Sequence, residues 1–169
     1  MYNKIKFKDN VIYKLTECPS TNDKAAELIK IGKLNHFDLV VTVNQSEGRG
    51  QRGNTWIAEP GLNLTFSVAL FPFNLQASYQ FQISKIISVG LVTFLNREKK
   101  GFSIKWPNDI LFNNQKLAGM LIENTLKGNE IIASVAGIGL NVNQTKFDIP
   151  KATSLKIIQR KHYELIPLL

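Results

Sequence analysis

From Phe102 to Asn143 the chain is a run of short apolar segments parted by turn residues, and no other stretch limits the fold as much. Phe102 to Trp106 reads as a strand, and Ile110 to Phe112 as another. Asn113-Asn114-Gln115 is a hairpin turn, and Lys116 to Asn124 returns. Lys127-Gly128-Asn129 turns again, and Glu130 to Asn143 is a strand interrupted by Gly137 and Gly139. Segments this short, joined by Asn and Gly, favour an antiparallel meander. Two helical patterns lie ahead of it. Pro19-Ser20-Thr21-Asn22-Asp23 is a start signal in which Ser20 or Thr21 caps, with Ala25, Ala26, Leu28 and Ile29 at helical spacing and Gly32 as the stop. Leu75 to Arg97 is the longer pattern, with Phe81, Ile83, Ile86, Ile87, Leu91, Val92 and Leu95 as broad apolar cover and Gly101 just beyond. Met1 to Leu15 reads as a leading strand, Leu39 to Val43 as a short buried one, and Leu62 to Phe71 as a strand after the Pro60-Gly61 turn. These elements predict an α+β sandwich: a mixed, mostly antiparallel sheet packed with helices, not a doubly wound parallel sheet.

Length and composition narrow the function classes. The 169 residues fit one domain with a real core, and 44% hydrophobic with 20% charged residues is an ordinary globular mixture. No run of eighteen apolar residues exists, so no membrane span is expected. Met1 to Asn10 alternates Lys with apolar residues and lacks the apolar core and cleavage site of a secretory signal. Cys18 is the single cysteine, which excludes an intrachain disulfide and predicts a cytoplasmic location. Lys plus Arg number 21 against 13 Asp plus Glu, a net charge of +8. That charge suits an anionic partner or a merely soluble basic surface. The basic residues are scattered and form no reading stripe, so DNA is not an expected partner. His36 and His162 stand far apart without cysteine partners, and no protein metal site is predicted.

The chemistry concentrates in a few places. Gly48-Arg49-Gly50-Gln51-Arg52-Gly53-Asn54-Thr55-Trp56 alternates glycines with arginines and ends on a tryptophan. Glycine lets a backbone approach a ligand closely, and arginine grips carboxylate or phosphate with a planar fork. Lys105-Trp106-Pro107-Asn108-Asp109 ends a strand in a tight turn, and Lys116-Leu117-Ala118-Gly119-Met120 begins the next. A short hairpin between them brings Asp109 near Lys116. Gly137-Ile138-Gly139-Leu140-Asn141 carries two glycines where another body can press on the backbone. Ser20-Thr21-Asn22 offers hydroxyls and free N–H groups at a helix start. Each piece alone has a plain reading: a cap, a turn, an edge lysine, a bulge.

Together and in this order they closely resemble the catalytic domain of biotin–protein ligases, from Ser20 to Asn143, with Ala152-Thr153-Ser154-Leu155 also similar to that family. The resemblance implies a fold shared with lipoate ligases and, distantly, class II tRNA synthetases. It implies an ATP-dependent ligase in which biotin and ATP, with Mg2+, give biotinyl-5′-AMP and pyrophosphate. A lysine of a biotin carboxyl carrier domain then takes the biotin. By the same resemblance Ser20, Thr21, Asn22 and Gln45 belong to the biotin site. Gly48, Arg49, Gly50 and Gln51 belong to the loop over the adenylate, with Arg49 on carboxylate and phosphate. Trp56 and Asn141 would flank the adenine, with Arg52 and Lys105 on the nucleotide side. Lys116 would bind the biotin carboxylate and the α-phosphate. Asn108 and Asp109 would lie near the phosphates, where magnesium is expected. Gly119 and Gly137 would offer backbone beside biotin. Arg49, Lys116 and Asp109 are the expected catalytic residues.

Three departures accompany the resemblance. Gln51 and Asn54 stand where Arg is common in the family. No winged-helix segment is expected before the catalytic part, and no small C-terminal β-domain after it. Residues 1–169 are therefore expected to form one catalytic domain, its last helix cut short at Leu165-Ile166-Pro167-Leu168-Leu169. A lipoate or octanoate ligase of the same superfamily and a non-catalytic biotin-binding module are the alternative readings. An octanoyl transferase needs a reactive cysteine, and Cys18 has no evident activating base. A homodimer is left open.

Overall fold

The chain enters as a hairpin, not as the single leading strand expected for Met1 to Leu15. In the computed structural model, which describes residues 2–169, Lys8 (φ 52°) and Asp9 turn β1 (Tyr2–Phe7) back into β2 (Asn10–Cys18). No glycine or proline marks that turn, so the alternation of lysine and apolar residues reads straight through it. Ser20 caps α1 (Thr21–Lys30), its Oγ accepting the Asp23 N–H at 3.3 Å. β3 (Leu39–Gln45) runs parallel to β2, with α1 as the crossover, and β4 (Leu64–Leu70) returns antiparallel.

The long helical pattern begins later than expected. Leu75 and Gln76 form β5, paired with Ile131 and Glu130, and a 3-10 turn over Ala77–Tyr79 leads into α2 (Phe81–Glu98). Strand pairing claims the first two residues before the helix can. Ile86, expected on the apolar cover, is 69% exposed, so the helix buries a narrower stripe centred on Ile83 and Leu95. The meander follows as β6 (Phe102–Lys105), β7 (Asp109–Phe112), β8 (Gln115–Lys127) and β9 (Glu130–Leu140). Asn113 (φ 47°) and Asn114 (φ 63°) form the β7–β8 turn. Two left-handed residues match the twist of the flanking strands, and asparagine tolerates that backbone. A short helix not anticipated from the sequence, α3 (Leu155–Gln159), is capped by Ser154.

The strands form one nine-stranded sheet in the order β1-β2-β3-β4-β9-β8-β7-β6, with β5 attached to β9. Of the strands paired among the described residues, only β2 and β3 run parallel. The expected mixed, mostly antiparallel sheet packed with helices is the observed fold. Successive side chains point to opposite faces, and the two faces serve different ends. Phe66, Val68, Ile138, Leu140 and Met120 join Leu95 and Leu155 in the larger core. On the other face Tyr13, Leu15, Val40, Ala69 and Val135 pack against Ala25 and Leu28 of α1. Each such fully buried aliphatic side chain contributes about 1.5–3 kcal/mol.

Candidate functional site

The face carrying α1 is not covered along its whole length. Beyond the start of α1 the alternation continues with small and polar residues, and register lines them up across four strands. Thr65 pairs with Gly139, Gly139 with Gly119, and Gly119 with Asp109. Ser67, Gly137 and Leu121 form a second row. Thr65, Gly139, Gly119, Gly137 and Leu121 of these rows form the floor of a cavity of about 370 Å3. Ser20, Thr21 and Asn22 wall it at one end, and Asn108, Asp109 and Lys116 at the other; Arg49, Gly50, Gln51 and Trp56 come over it from the loop.

Glycine is required in both rows. The Trp56 ring lies where a Cβ on Gly139 would stand, and the Asn22 side chain where a Cβ on Gly137 would. Gly48 is equally constrained, being pressed by the Trp56 carbonyl and, at 2.7 Å from the same hypothetical Cβ, by Gln45 Nε2. The loop closes on itself: Gly50 N–H donates to Asn54 O at 2.7 Å and Trp56 N–H to Gly48 O at 2.9 Å.

The end at α1 is lined by uncharged side chains dense in hydrogen bonds, with the Glu123 carboxylate accepting from Asn22 Nδ2 behind them. Gln45 Oε1 accepts from the Thr21 N–H at 2.8 Å. Ser67 Oγ lies 2.8 Å from Thr21 Oγ1 and 2.6 Å from Asn22 Oδ1. The opposite end is ionic, with Lys116 Nζ 2.7 Å from Asp109 Oδ1. A β-bulge brings the lysine there. Ile110 pairs with Ala118 but Leu111 with Lys116, so Leu117 is the extra residue. Without it Lys116 would face away from Gly119; with it, the Lys116 ammonium comes within 3.3 Å of a Cβ built on Gly119. The segment after β9 supports this position: Lys116 N–H donates to Lys151 O at 2.6 Å, and Thr153 N–H to Lys116 O at 2.9 Å.

Arg49 makes a two-pronged ion pair with Asp23, at 2.7 and 2.6 Å, and a longer contact with Glu123 at 3.3 Å. Hydrogen bonding to Arg49 holds the Asp23 carboxyl below the usual carboxylate range. Hydrogen bonding to Asp23 in turn raises the guanidinium further above its ordinary value. Burial pushes the Cys18 thiol up, so it is no activated nucleophile.

Among the residues singled out from the sequence, Ser20, Thr21, Asn22, Gln45, Arg49, Gly50, Gln51, Trp56, Asn108, Asp109, Lys116, Gly119 and Gly137 all line this one cavity. Gly48 is buried behind the loop. Arg52 (φ 56°) and Lys105 are exposed and do not line the cavity. Asn141 is buried beneath it, its Nδ2 donating to Thr153 O at 3.0 Å. Thr65, Ser67 and Glu123 carry no site signal of their own in the sequence, and Asp23 reads there only as part of a helix start. The alternation of β4 hints at the first two, but only the register shows that they face Gly137 and Gly139.

A family model described as the biotin/lipoate A/B protein ligase family matches residues 15–143. The chain belongs to that family. This biotin/lipoate ligase family member is 32% identical over 133 residues to the bifunctional ligase/repressor BirA of Bacillus subtilis, covering 78% of the chain and 40% of that relative. It is 33% identical over 132 residues to a biotin–[acetyl-CoA-carboxylase] ligase of Paracoccus denitrificans, covering 76% of the chain and 53% of the relative. It thus spans about half or less of these relatives' lengths. Its fold superposes on the biotin protein ligase from Aquifex aeolicus, solved in complex with biotin and ATP, with a TM-score of 0.77 at 28% identity, covering 96% of this chain and 66% of that one. No helix among the described residues is long and apolar enough to cross a membrane.

Proposed function

We propose that this family member activates biotin with ATP to biotinyl-5′-AMP and pyrophosphate, then passes the biotin to a lysine of a carrier domain. The observation that carries the proposal is the polarity of the cavity. Biotin has a neutral ureido ring at one end and a carboxylate at the other. The cavity has uncharged hydrogen-bonding side chains at Thr21, Asn22 and Gln45 at one end and the Lys116–Asp109 pair at the other, and its volume is in the range of small-molecule sites. Relatives solved with biotin and ATP, and with biotinylated ATP, support the same ligand set.

In the first step a biotin carboxylate oxygen attacks the α-phosphorus, and the bond to the bridging oxygen of pyrophosphate breaks. Two anions must meet. Lys116 and Arg49 reduce their repulsion and favour the charge that builds on the transferring phosphoryl group. In the second step the carrier's lysine amine attacks the carbonyl of the mixed anhydride, forming an amide and releasing AMP. No protein nucleophile is needed, because positioning supplies most of the acceleration. Trp56 offers the flat face for adenine, and Gly119 and Gly137 leave room for the Lys116 and Asn22 side chains that flank biotin. We assign Asn141, whose amide is committed to Thr153 O, to holding the segment that flanks Lys116. Magnesium binds with one or two carboxylates plus substrate phosphates and keeps several waters. Among the described residues, Asp109 is the single carboxylate lining the cavity. With Asn108 beside it, Asp109 fits magnesium brought by ATP, which would neutralise phosphate charge. The setting we propose is cytoplasmic, with the carrier as the protein partner.

Lipoate or octanoate ligation is the second reading, since the family includes lipoate ligases. A hydrocarbon chain offers no hydrogen bond to this polar end, where Gln45 Oε1 is held by Thr21 while the Gln45 amide N–H groups would lose water to the chain. Biotin-dependent ATP–pyrophosphate exchange is therefore the expected activity, with octanoate and lipoate inert. Equal or faster exchange with octanoate overturns the assignment. Biotin binding with no exchange would leave a binding module instead.

Gln51 lines the cavity at a place where Arg52 is turned outward. A neutral amide lacks the charge-assisted fork of arginine. Gln51→Arg should slow adenylate release by about tenfold, the value of one such bond, and reduce labelling of bystander lysines. Equal off-rates in the two proteins show that Gln51 does not retain the intermediate.

A further inference from the structure

We infer that Asp23 and Glu123 form an internal counter-ion site for Arg49, so that the ligand's anion binds by displacing two carboxylates from the arginine. This rests on the role proposed above for Arg49. The geometry is specific. Asp23 is the third residue of α1, its N–H bonded to the Ser20 cap, and its carboxylate meets both terminal nitrogens of Arg49 at 2.7 and 2.6 Å. Glu123, on β8, reaches Arg49 at 3.3 and 3.4 Å through its two oxygens. The second of those oxygens also accepts from Asn22 Nδ2 at 2.6 Å. One carboxylate therefore touches both the loop over the cavity and the amide in its end wall.

Asp23 fills the end-on fork of Arg49, formed by its two terminal nitrogens, and Glu123 engages Nη2, which also belongs to the side-on fork. While both carboxylates stay in place, Arg49 cannot present a free fork to a ligand. The free protein is thus divided between a docked loop and a binding-competent one, and apparent affinity falls by the competent fraction. Asp23 and Glu123 are positioning residues on this account. They give the loop a defined resting place and weaken ligand binding by holding it there. When Arg49 turns to an anion, Glu123 keeps its bond to Asn22, and the α1 end of the cavity stays assembled.

The test uses the whole chain in three forms: wild type, Asp23→Asn, and Glu123→Gln, which keeps an acceptor for Asn22. In the first arm, without ligand, trypsin nicking after Arg49 and Arg52 is timed at low and high salt. Ion pairs this exposed weaken with salt. Nicking of the wild type should accelerate with salt, and Asp23→Asn should be cut faster at low salt by roughly two- to fivefold, with little further response. In the second arm biotin affinity is measured by calorimetry. Each variant should bind biotin tighter, by roughly two- to fivefold. A residue that merely braces the site would give the opposite sign. Unchanged nicking overturns the inference, as does a looser loop with weaker or equal biotin binding. If no form binds biotin, the proposed function fails, and the ligand-free arm still decides whether the ion pair holds the loop.

Discussion

Lys116→Ala abolishes most biotin-dependent pyrophosphate exchange while leaving the fold intact. The lysine is the cation at the ionic end of the cavity, and each charge-assisted bond it offers to carboxylate or phosphate is worth about 1.5–3 kcal/mol. Losing one such bond in the transition state alone is about ten- to hundredfold in rate, and two anions meet there. Removal also leaves Asp109, mostly buried, without its partner at 2.7 Å. Its negative charge then faces the phosphates and adds repulsion. Ser20→Ala is the comparison. It removes one neutral group, worth about 0.5–1.5 kcal/mol, from the other end of the cavity. Exchange rates measured side by side should rank Lys116→Ala far below Ser20→Ala. Comparable losses would take Lys116 out of the reaction.

Gly139→Ala has the second large effect, and it acts through shape. The new Cβ would stand inside the Trp56 ring, which must leave its seat on β9. Forcing an extra carbon into a packed site costs about 1–3 kcal/mol. Displacing the ring also removes the flat surface proposed for adenine. The expected result is a lower unfolding midpoint in denaturant together with weakened ATP binding and altered Trp56 fluorescence. Gly90→Ala is the control of opposite sign. Nothing lies within 4 Å of the added carbon on α2, and alanine is favoured over glycine within a helix by roughly 0.5–1 kcal/mol. That variant should be stabilised with binding unchanged. A Gly139→Ala protein as stable as wild type and equally tight for ATP would show that the ring is free to sit elsewhere.

The sequence was most informative where punctuation and periodicity coincide. The turn at Asn113-Asn114, the cap at Ser20 and the run of strands after Phe102 were all legible, because each has a local physical signature. So was most of the cavity lining, since glycine, arginine and lysine stand together in ordered segments. The β1–β2 hairpin was not, because its turn carries neither glycine nor proline. The start of α2 was misread because Leu75 and Gln76 are apolar and polar in a way that suits either state, and only a partner on β9 decides it. Ser67 and Glu123 are invisible as site residues for a related reason. Each is an ordinary strand residue until register sets one beside Gly137 and brings the other to Asn22 and Arg49. The bulge at Leu117 also escapes, since a buried leucine between a lysine and an alanine gives no sign that two strands count differently.

That bulge has a consequence for how this chain can change over generations. The Lys116 side chain faces the cavity because of a count, one residue more on β8 than on β7. A lost or gained codon between Lys116 and Gly119 would keep every reactive group in the protein and much of the sheet. It would still turn the lysine from the cavity toward the opposite face. Substitution can erode such a site by degrees, whereas a single change in length there can silence it at once.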